Sequence, residues 1–535
     1  MQNFHESTTS SSTGHINFRI LADIPRFHAR QSPDHTALIF AGRQTTYRQL
    51  DHYASQVANG LISHGSDIQK RVAWLDQNSD YFFETLFGCA KANLVMCPVN
   101  WRLAEAEVKT IIDDAETDIL FVGPSFFDLI ESIRDDLPGI TKIVAITGDH
   151  PEWESYEGWR NRQSSEDPDL SIAGQDIAIQ LYTSGTTGLP KGVMISNQAL
   201  LASNVDDRED IGWNIWSTDD VSLLIMPCFH IAGLRWGLMG LIPGSTTVIL
   251  ADFDPAAALD CIQKYGVSKI FLAPVAIRFI LQLPQSRQTD YSSIKHIVYG
   301  ASAIPLDLLK QAMAVFQCGF VQLYGLTETT AQTTYLPPED HESLNQERLK
   351  SAGKALPYIE VRIENKEGDI LPPGEVGEIC IKTPSIMSGY WKMPGETDKA
   401  IRQGWMHTGD AGHMDEDGYV YISDRINDMI VSGGENIYPI EVENAIFSHP
   451  AVADVAVIGI PDDLWGEAVK AIVILNDGAP ATTDDIIAFA KQQIASYKAP
   501  KTVDFVEQLP RNAAGKVLKK DLRAPYWKGH DRLVN

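Results

Sequence analysis

Between Leu181 and Gly192 the chain reads Leu-Tyr-Thr-Ser-Gly-Thr-Thr-Gly-Leu-Pro-Lys-Gly, a run of hydroxyls and glycines behind an apolar, strand-like stretch, Ile177 to Leu181. Glycines let backbone N–H groups come close to an anion, and hydroxyls add further donors. Lys191 brings a mobile positive charge. Thr183, Ser184, Gly185, Thr186, Thr187, Gly188 and Lys191 together therefore suit a polyphosphate. The spacing is not that of a P-loop, because Gly185 and Lys191 are wrongly separated and Gly192 follows the lysine. Alone, the stretch could equally be a polar turn on a β-α unit.

Further along, Glu328 is a carboxylate in the hydroxyl-bearing stretch Tyr324 to Thr329. Asp410 has acceptor chemistry for a pair of ribose hydroxyls, and Arg425 is the matching donor. Each has a plainer reading: a buried structural glutamate, an exposed ion pair, and for Lys516 a solvated lysine near Lys519 and Lys520. His230 could equally be a hydrogen-bonded structural histidine.

The motifs Gln322-Leu-Tyr-Gly-Leu-Thr-Glu-Thr329, Trp405-Met-His-Thr-Gly-Asp410, Ser423-Asp-Arg-Ile-Asn-Asp428, Gly433-Gly-Glu-Asn-Ile-Tyr-Pro439 and Pro510-Arg-Asn-Ala-Ala-Gly-Lys516 follow the hydroxyl loop in order. In this order and at this separation they closely resemble the adenylate-forming superfamily, specifically the acyl-CoA synthetases, with 4-coumarate–CoA ligase and luciferase among its members. The resemblance runs from about Leu21 to about Arg523 and implies ATP, Mg2+ and coenzyme A as cofactors. It implies that Lys516 bridges the substrate carboxylate and the α-phosphate, that Glu328 holds magnesium with Thr183, and that Tyr324 stacks on adenine. By the same resemblance Thr327 reaches the α-phosphate, and Gly300-Ala301-Ser302 forms the other wall of the adenine slot, with Gln322 and Gly325 beside it. Asp410 and Arg425 fall at ribose positions, Gly433 and Gly434 meet the pantetheine arm, and His230 gates the acyl or CoA channel. His230 is not expected to be a general base, since no carboxylate partner is evident.

Joining a carboxylic acid to a thiol needs an activated acyl group. ATP supplies it when the carboxylate attacks the α-phosphate, and both partners are anions, so positive charge is required where they meet. Two positions depart from the family pattern. Asn427 stands in the hinge where relatives carry aspartate or lysine, and Leu323 stands where many carry glycine. Leu323 is expected to shorten or bend the acyl pocket, which weighs against a straight long-chain tunnel.

The elements that must position these groups span 535 residues, too many for one core. A net charge of −26 argues against a nucleic-acid partner and requires the anion sites to be locally positive or rich in N–H donors. The six scattered cysteines form no C-x-x-C pair and fit a reducing cytoplasm. No stretch reads as a transmembrane span, and a homodimer stays open. Apolar runs alternate with helical patterns, so the fold class is α/β: a large N-terminal domain of mainly parallel sheets covered by helices, plus a small barrel, and a small mobile α+β C-terminal domain. The expected divisions are a disordered tail at 1–16, an AMP-binding domain at 17–424, a hinge at 425–428 and a lid at 429–535. Ligands of such sheets gather at the carboxyl ends of the strands, where the loops at Thr183, His230, Gly300 and Tyr324 should converge.

The resulting expectation is an ATP-dependent acid–CoA ligase acting on an apolar carboxylic acid, fatty or aryl/cyclic. The alternatives are adenylation with a carrier-protein thiol as acceptor, an oxidative luciferase-like second step, or a nucleotide-binding relative without catalysis. No carrier domain follows Arg523, which favours a stand-alone ligase.

Overall fold

The structure is a computed structural model that describes residues 18–184, 190–202, 211–302, 304–343, 345, 347–425, 428–432, 435–462, 465–512 and 515–528. The tail expected at 1–16, the centre of the hydroxyl loop, Asn427 and the Gly433-Gly434 pair lie outside these residues.

Apolar β-branched runs build two large sheets. The first has nine strands among the described residues, and its parallel part runs in the order Thr36–Phe40, Thr246–Ile249, Val221–Leu224, Lys269–Leu272, His296–Gly300, Gly319–Tyr324. The second has eight strands, with Val95–Pro98, Arg71–Leu75, Ile119–Val122 and Lys142–Ala145 in parallel. Strands such as Arg71–Leu75 are buried at every position, as parallel strands covered by helices on both faces must be. Tyr47–His64 shows why a helix forms where it does. Thr46 and Gln49 make a capping box at its start, and Gly65 ends it with φ +90°. Its apolar face packs on Asp80–Ala92, where a Cβ on Gly88 would lie 2.4 Å from Val57 Cγ1.

A third, antiparallel sheet of five strands contains Glu360–Glu364, Gly377–Lys382, Trp405–Met414 and Val420–Arg425. The chain then restarts as a separate α+β unit. Its strands Val452–Asp462 and Gly466–Leu475 pair antiparallel, helices Pro439–Phe447 and Thr483–Gln493 cover them, and Ile430, Val442, Val457, Val469 and Ile486 form a core of its own. The helix start read after Thr482 is a capping box between Thr482 and Asp485. Among the described residues no helix is long and apolar enough to cross a membrane.

The structure differs from the local pattern at two places. Asn100 to Leu103 reads as the start of a helix but does not open one. It is a turn closed by Leu103 N–H on the Asn100 carbonyl, and the helix begins at Glu105. The hydroxyl loop does not lead from strand to helix, because Ile177–Ser184 pairs antiparallel with Pro190–Ser196.

Candidate active site

The hairpin places two of the phosphate-binding candidates, Thr183 and Lys191, on its two arms. Thr183 sits opposite Lys191 in the register. Lys191 Nζ lies 2.6 Å from Glu396 Oε2 and 5.0 Å from the centre of the Tyr390 ring. Tyr390 is held beside the same arm by its pairing with Val193 and donates its hydroxyl to Glu328 Oε1 at 2.8 Å. Lys191 and then Lys399 hold the half-buried Glu396 carboxyl down to about 2.

The residues expected to wall the adenine slot come from adjacent strands of the first sheet. Gly300 ends one strand opposite Leu323 of the next, so close that a Cβ on Gly300 would lie 2.4 Å from the Leu323 carbonyl oxygen. Ala301 follows with φ +67°, a left-handed turn that carries the chain away from the sheet toward Ser302. Tyr324 reaches across to the third sheet and donates its hydroxyl to Asp410 Oδ2 at 2.7 Å. Asp410 is buried, its N–H bonds Thr408 Oγ1, and its register partner is Arg425. Gln322 is engaged elsewhere: its side-chain oxygen accepts from Tyr299, whose hydroxyl also meets His341 Nε2. Thr327 and Glu328 lie in a 3-10 turn, half buried, directly after Gly325 and Leu326.

His230 is the residue before helix Ile231–Leu241. Part of it reaches the surface, but its Nε2 is buried and has no hydrogen-bond partner among the described residues. Burial, and secondarily the charge of Arg102, push its imidazole down to about 4. The loop that carries it is pinned by buried Asn78, which accepts from Cys228 N–H and donates to the Met226 and Leu250 carbonyls.

Lys516 does not hang from a loose tail. Asn512 and Gly515 close a tight turn, with Gly515 N–H on the Asn512 carbonyl and Lys516 N–H on Asn512 Oδ1. Gly515, at φ +82°, lies against helix Pro274–Gln282, where a Cβ would come 2.8 Å from Val275 Cγ1. That helix follows strand Lys269–Leu272, so the turn bearing Lys516 rests at a strand's carboxyl end. Arg278 of the same helix donates to the Ala453 carbonyl at 2.8 Å, lies 3.4 Å from Asp454 and covers the Phe447 ring. These contacts dock the small unit on the large one.

Residues 26–391 match the model of the AMP-binding enzyme family, and residues 441–516 match the AMP-binding enzyme C-terminal domain. The chain belongs to the AMP-binding enzymes. ATP use and AMP-forming acid ligation come with that membership. Among curated relatives, the fatty acid–[acyl-carrier-protein] ligase ScoC of Streptomyces coeruleorubidus is 38% identical over 97% of this chain and 99% of its own length. An indoleacetate–CoA ligase of Aromatoleum aromaticum is 36% identical over 93% of this chain and 96% of its own. The ATP-bound structure of MatB from Rhodopseudomonas palustris superposes with a TM-score of 0.84 at 31% identity, covering 94% of this chain and 99% of that one.

Within this AMP-binding enzyme, sequence reading missed Tyr390, Glu396 and Asn78. Tyr390 and Glu396 lie more than sixty residues from Glu328, and nothing in their local pattern says that they return to the hairpin. Asn78, in a Gln-Asn-Ser turn after a buried strand, carried a weak signal, since buried asparagines in such turns need partners. Two acids that follow strand Thr246–Ile249, Asp252 and Asp254, are engaged by neighbouring groups. Asp252 pairs with Arg102, and Asp254 caps helix Pro255–Tyr265.

Proposed function

We propose that this protein activates an apolar carboxylic acid with ATP and passes the acyl group to the thiol of coenzyme A. In the first step a carboxylate oxygen attacks the α-phosphorus, the bond to the bridging oxygen breaks and pyrophosphate leaves. In the second the thiol sulfur attacks the acyl carbon, loses its proton, and AMP departs with the C–O bond. The observation that carries this reading is the Lys516 turn resting on Val275, which brings a lysine from the small unit to the strand ends of the large one. In the first step two anions meet, and a lysine placed there offsets their repulsion.

Tyr324 and Asp410 would hold adenine and ribose, with Arg425 assisting from the neighbouring strand. Thr183, Thr327 and Lys191 would bind the phosphates, together with the backbone between the hairpin arms. A magnesium ion, when bound, would screen phosphate charge, and the carboxylate of Glu328 with the hydroxyl of Thr183 is the hard-oxygen set such an ion takes. Neutral His230, with Nε2 available to a ligand, would line the passage between acid and thiol without acting as a base. Gly433 and Gly434 would meet the pantetheine arm.

The apolar character of the acid rests on the layer between the two large sheets. Leu323, Trp236, Phe271 and Met239 share one buried cluster there, and Phe271 touches the Gly300 position. The indoleacetate ligase supports a ring-bearing acid, and the fatty acid ligase ScoC supports an aliphatic one. ScoC also supports a second reading, in which a carrier-protein thiol replaces CoA. Pyrophosphate release on mixing ATP with a panel of aliphatic and aryl acids tests the first step, and CoA against a pantetheinylated carrier protein tests the second. Release with one apolar class and turnover with CoA are expected; no release with any acid would overturn the reading.

A further inference from the structure

The third sheet carries a second cluster of reactive side chains that the ligase reading does not use. Cys380 and His407 are register partners on neighbouring strands, Arg362 lies opposite Cys380 on its other side, and Glu364 lies opposite Glu378. Period-two alternation puts these side chains on one face. Cys380 Sγ, a ring nitrogen of His407 and a Glu364 carboxylate oxygen all lie within 4.8 Å of one another, and Cys380 and Glu364 are buried.

We propose that Glu364, Cys380 and His407 bind a thiophilic divalent cation of the zinc class, and that filling this site weakens nucleotide binding. A tetrahedral zinc about 2.3 Å from sulfur and about 2.0 Å from nitrogen sets those donors about 3.5 Å apart. Cys380 Sγ and His407 Nδ1 are 3.4 Å apart. On binding, the thiol proton passes to solvent and the metal takes its place on sulfur, while the proton that His407 Nδ1 gives to Glu378 moves through solvent to Nε2 and frees Nδ1 for the metal. Glu378 Oε2 lies 3.0 Å from His407 Nδ1 and is the near candidate for a fourth ligand. Arg362 pairs with Glu364 while lying 3.8 Å from the Trp405 ring centre, so the cation must draw the carboxylate from that guanidinium. This competition makes the site weaker than a structural zinc site.

The link to the nucleotide is Glu378. Its Oε1 accepts Gly409 N–H at 3.0 Å, and its Oε2 meets His407, so one carboxylate braces the turn that ends in Asp410. A metal that captures His407 removes half of that brace. The effect on nucleotide rests on the proposed ribose role of Asp410, whereas the binding itself does not.

The full-length protein, stripped of metal, is titrated with Cd2+ and followed by cadmium–thiolate absorbance. ATP-dependent pyrophosphate release is then measured against rising Zn2+. Wild type should develop the band and lose activity. Cys380→Ser should lack the band, keep its metal-free activity and require at least roughly ten-fold more Zn2+ for half inhibition. Glu364→Gln, with the thiol intact, should show the band at higher Cd2+ than wild type. An equal band in wild type and Cys380→Ser, or none in either, would overturn the site. Equal zinc inhibition of the two would overturn its link to the nucleotide. Absence of pyrophosphate release with every acid would count against the ligase reading alone, because the cadmium titration needs no substrate.

Discussion

Tyr324 gives its hydroxyl hydrogen to Asp410 across 2.7 Å, tying the last parallel strand of the first large sheet to the long strand of the small antiparallel one. The bond fixes the proposed adenine-stacking ring and ribose-binding carboxylate relative to each other before ATP arrives. Hydrogen bonds to charged groups contribute about 1.5–3 kcal/mol. Tyr324→Phe keeps the ring and removes the bond, so the KM for ATP should rise about ten-fold with little change in the KM for the acid. Steady-state kinetics with each substrate varied in turn would check this, and an unchanged KM for ATP would detach the pair from the nucleotide.

Lys191 is occupied by Glu396, which competes with a polyphosphate for the same ammonium. Because the Glu396 carboxyl is held down to about 2, it stays charged at any working pH. Glu396→Gln should therefore lower the KM for ATP a few-fold, the modest effect expected when a partly solvated ion pair is removed. A higher KM would mean that Glu396 positions Lys191 instead of restraining it.

The His230 imidazole, pushed from its ordinary 6.5 to about 4, is neutral in the folded protein throughout the usual assay range. His230→Gln should change the rate without altering the shape of the pH profile between about 6 and 8. The linked stability effect has a definite sign. A folded value below the unfolded one leaves stability intact above about 6.5 and removes it as pH falls toward 4. The variant should accordingly lose less stability than wild type between those limits, read as the shift in denaturation midpoint with pH.

Much of this arrangement was legible in the sequence because its signals are local. The helix start, read after Thr482 or Thr483, is marked by a capping box, and the buried strand Arg71–Leu75 by the apolar run Val72 to Leu75. What was not legible depends on pairing across distance. The Pro190–Ser196 strand folds back on the hydroxyl loop, so Tyr390 can pair with Val193 and meet Glu328, and no single stretch records that meeting. Gln322 shows the same limit within a motif. Strand alternation sends its side chain to Tyr299 and His341, while its neighbour Leu323 faces the layer between the sheets.

Leu323 is buried in that layer, in the cluster that holds Trp236 and Phe271. Leu323→Ala should cost about 2–5 kcal/mol of stability from the cavity it opens. The same cavity should shift kcat/KM toward longer acids, by up to about 0.8 kcal/mol for each methylene newly accommodated. Assays with acids differing only in chain length would read this, and an unchanged length profile would place the acyl group elsewhere.

The account stands or falls on Lys516. The charge conflict it is proposed to relieve exists only when carboxylate and α-phosphate meet; thioester formation expels AMP and does not need that contact. Both half-reactions should be measured on Lys516→Ala, acyl-AMP formation from ATP and acid, and thioester formation from presynthesised acyl-AMP and CoA. Loss of a contact made at the transition state costs a few kcal/mol, so the first should fall by roughly 10²- to 10³-fold or more while the second stays near wild type. Equal losses in both would show that Lys516 is structural and contradict the mechanism.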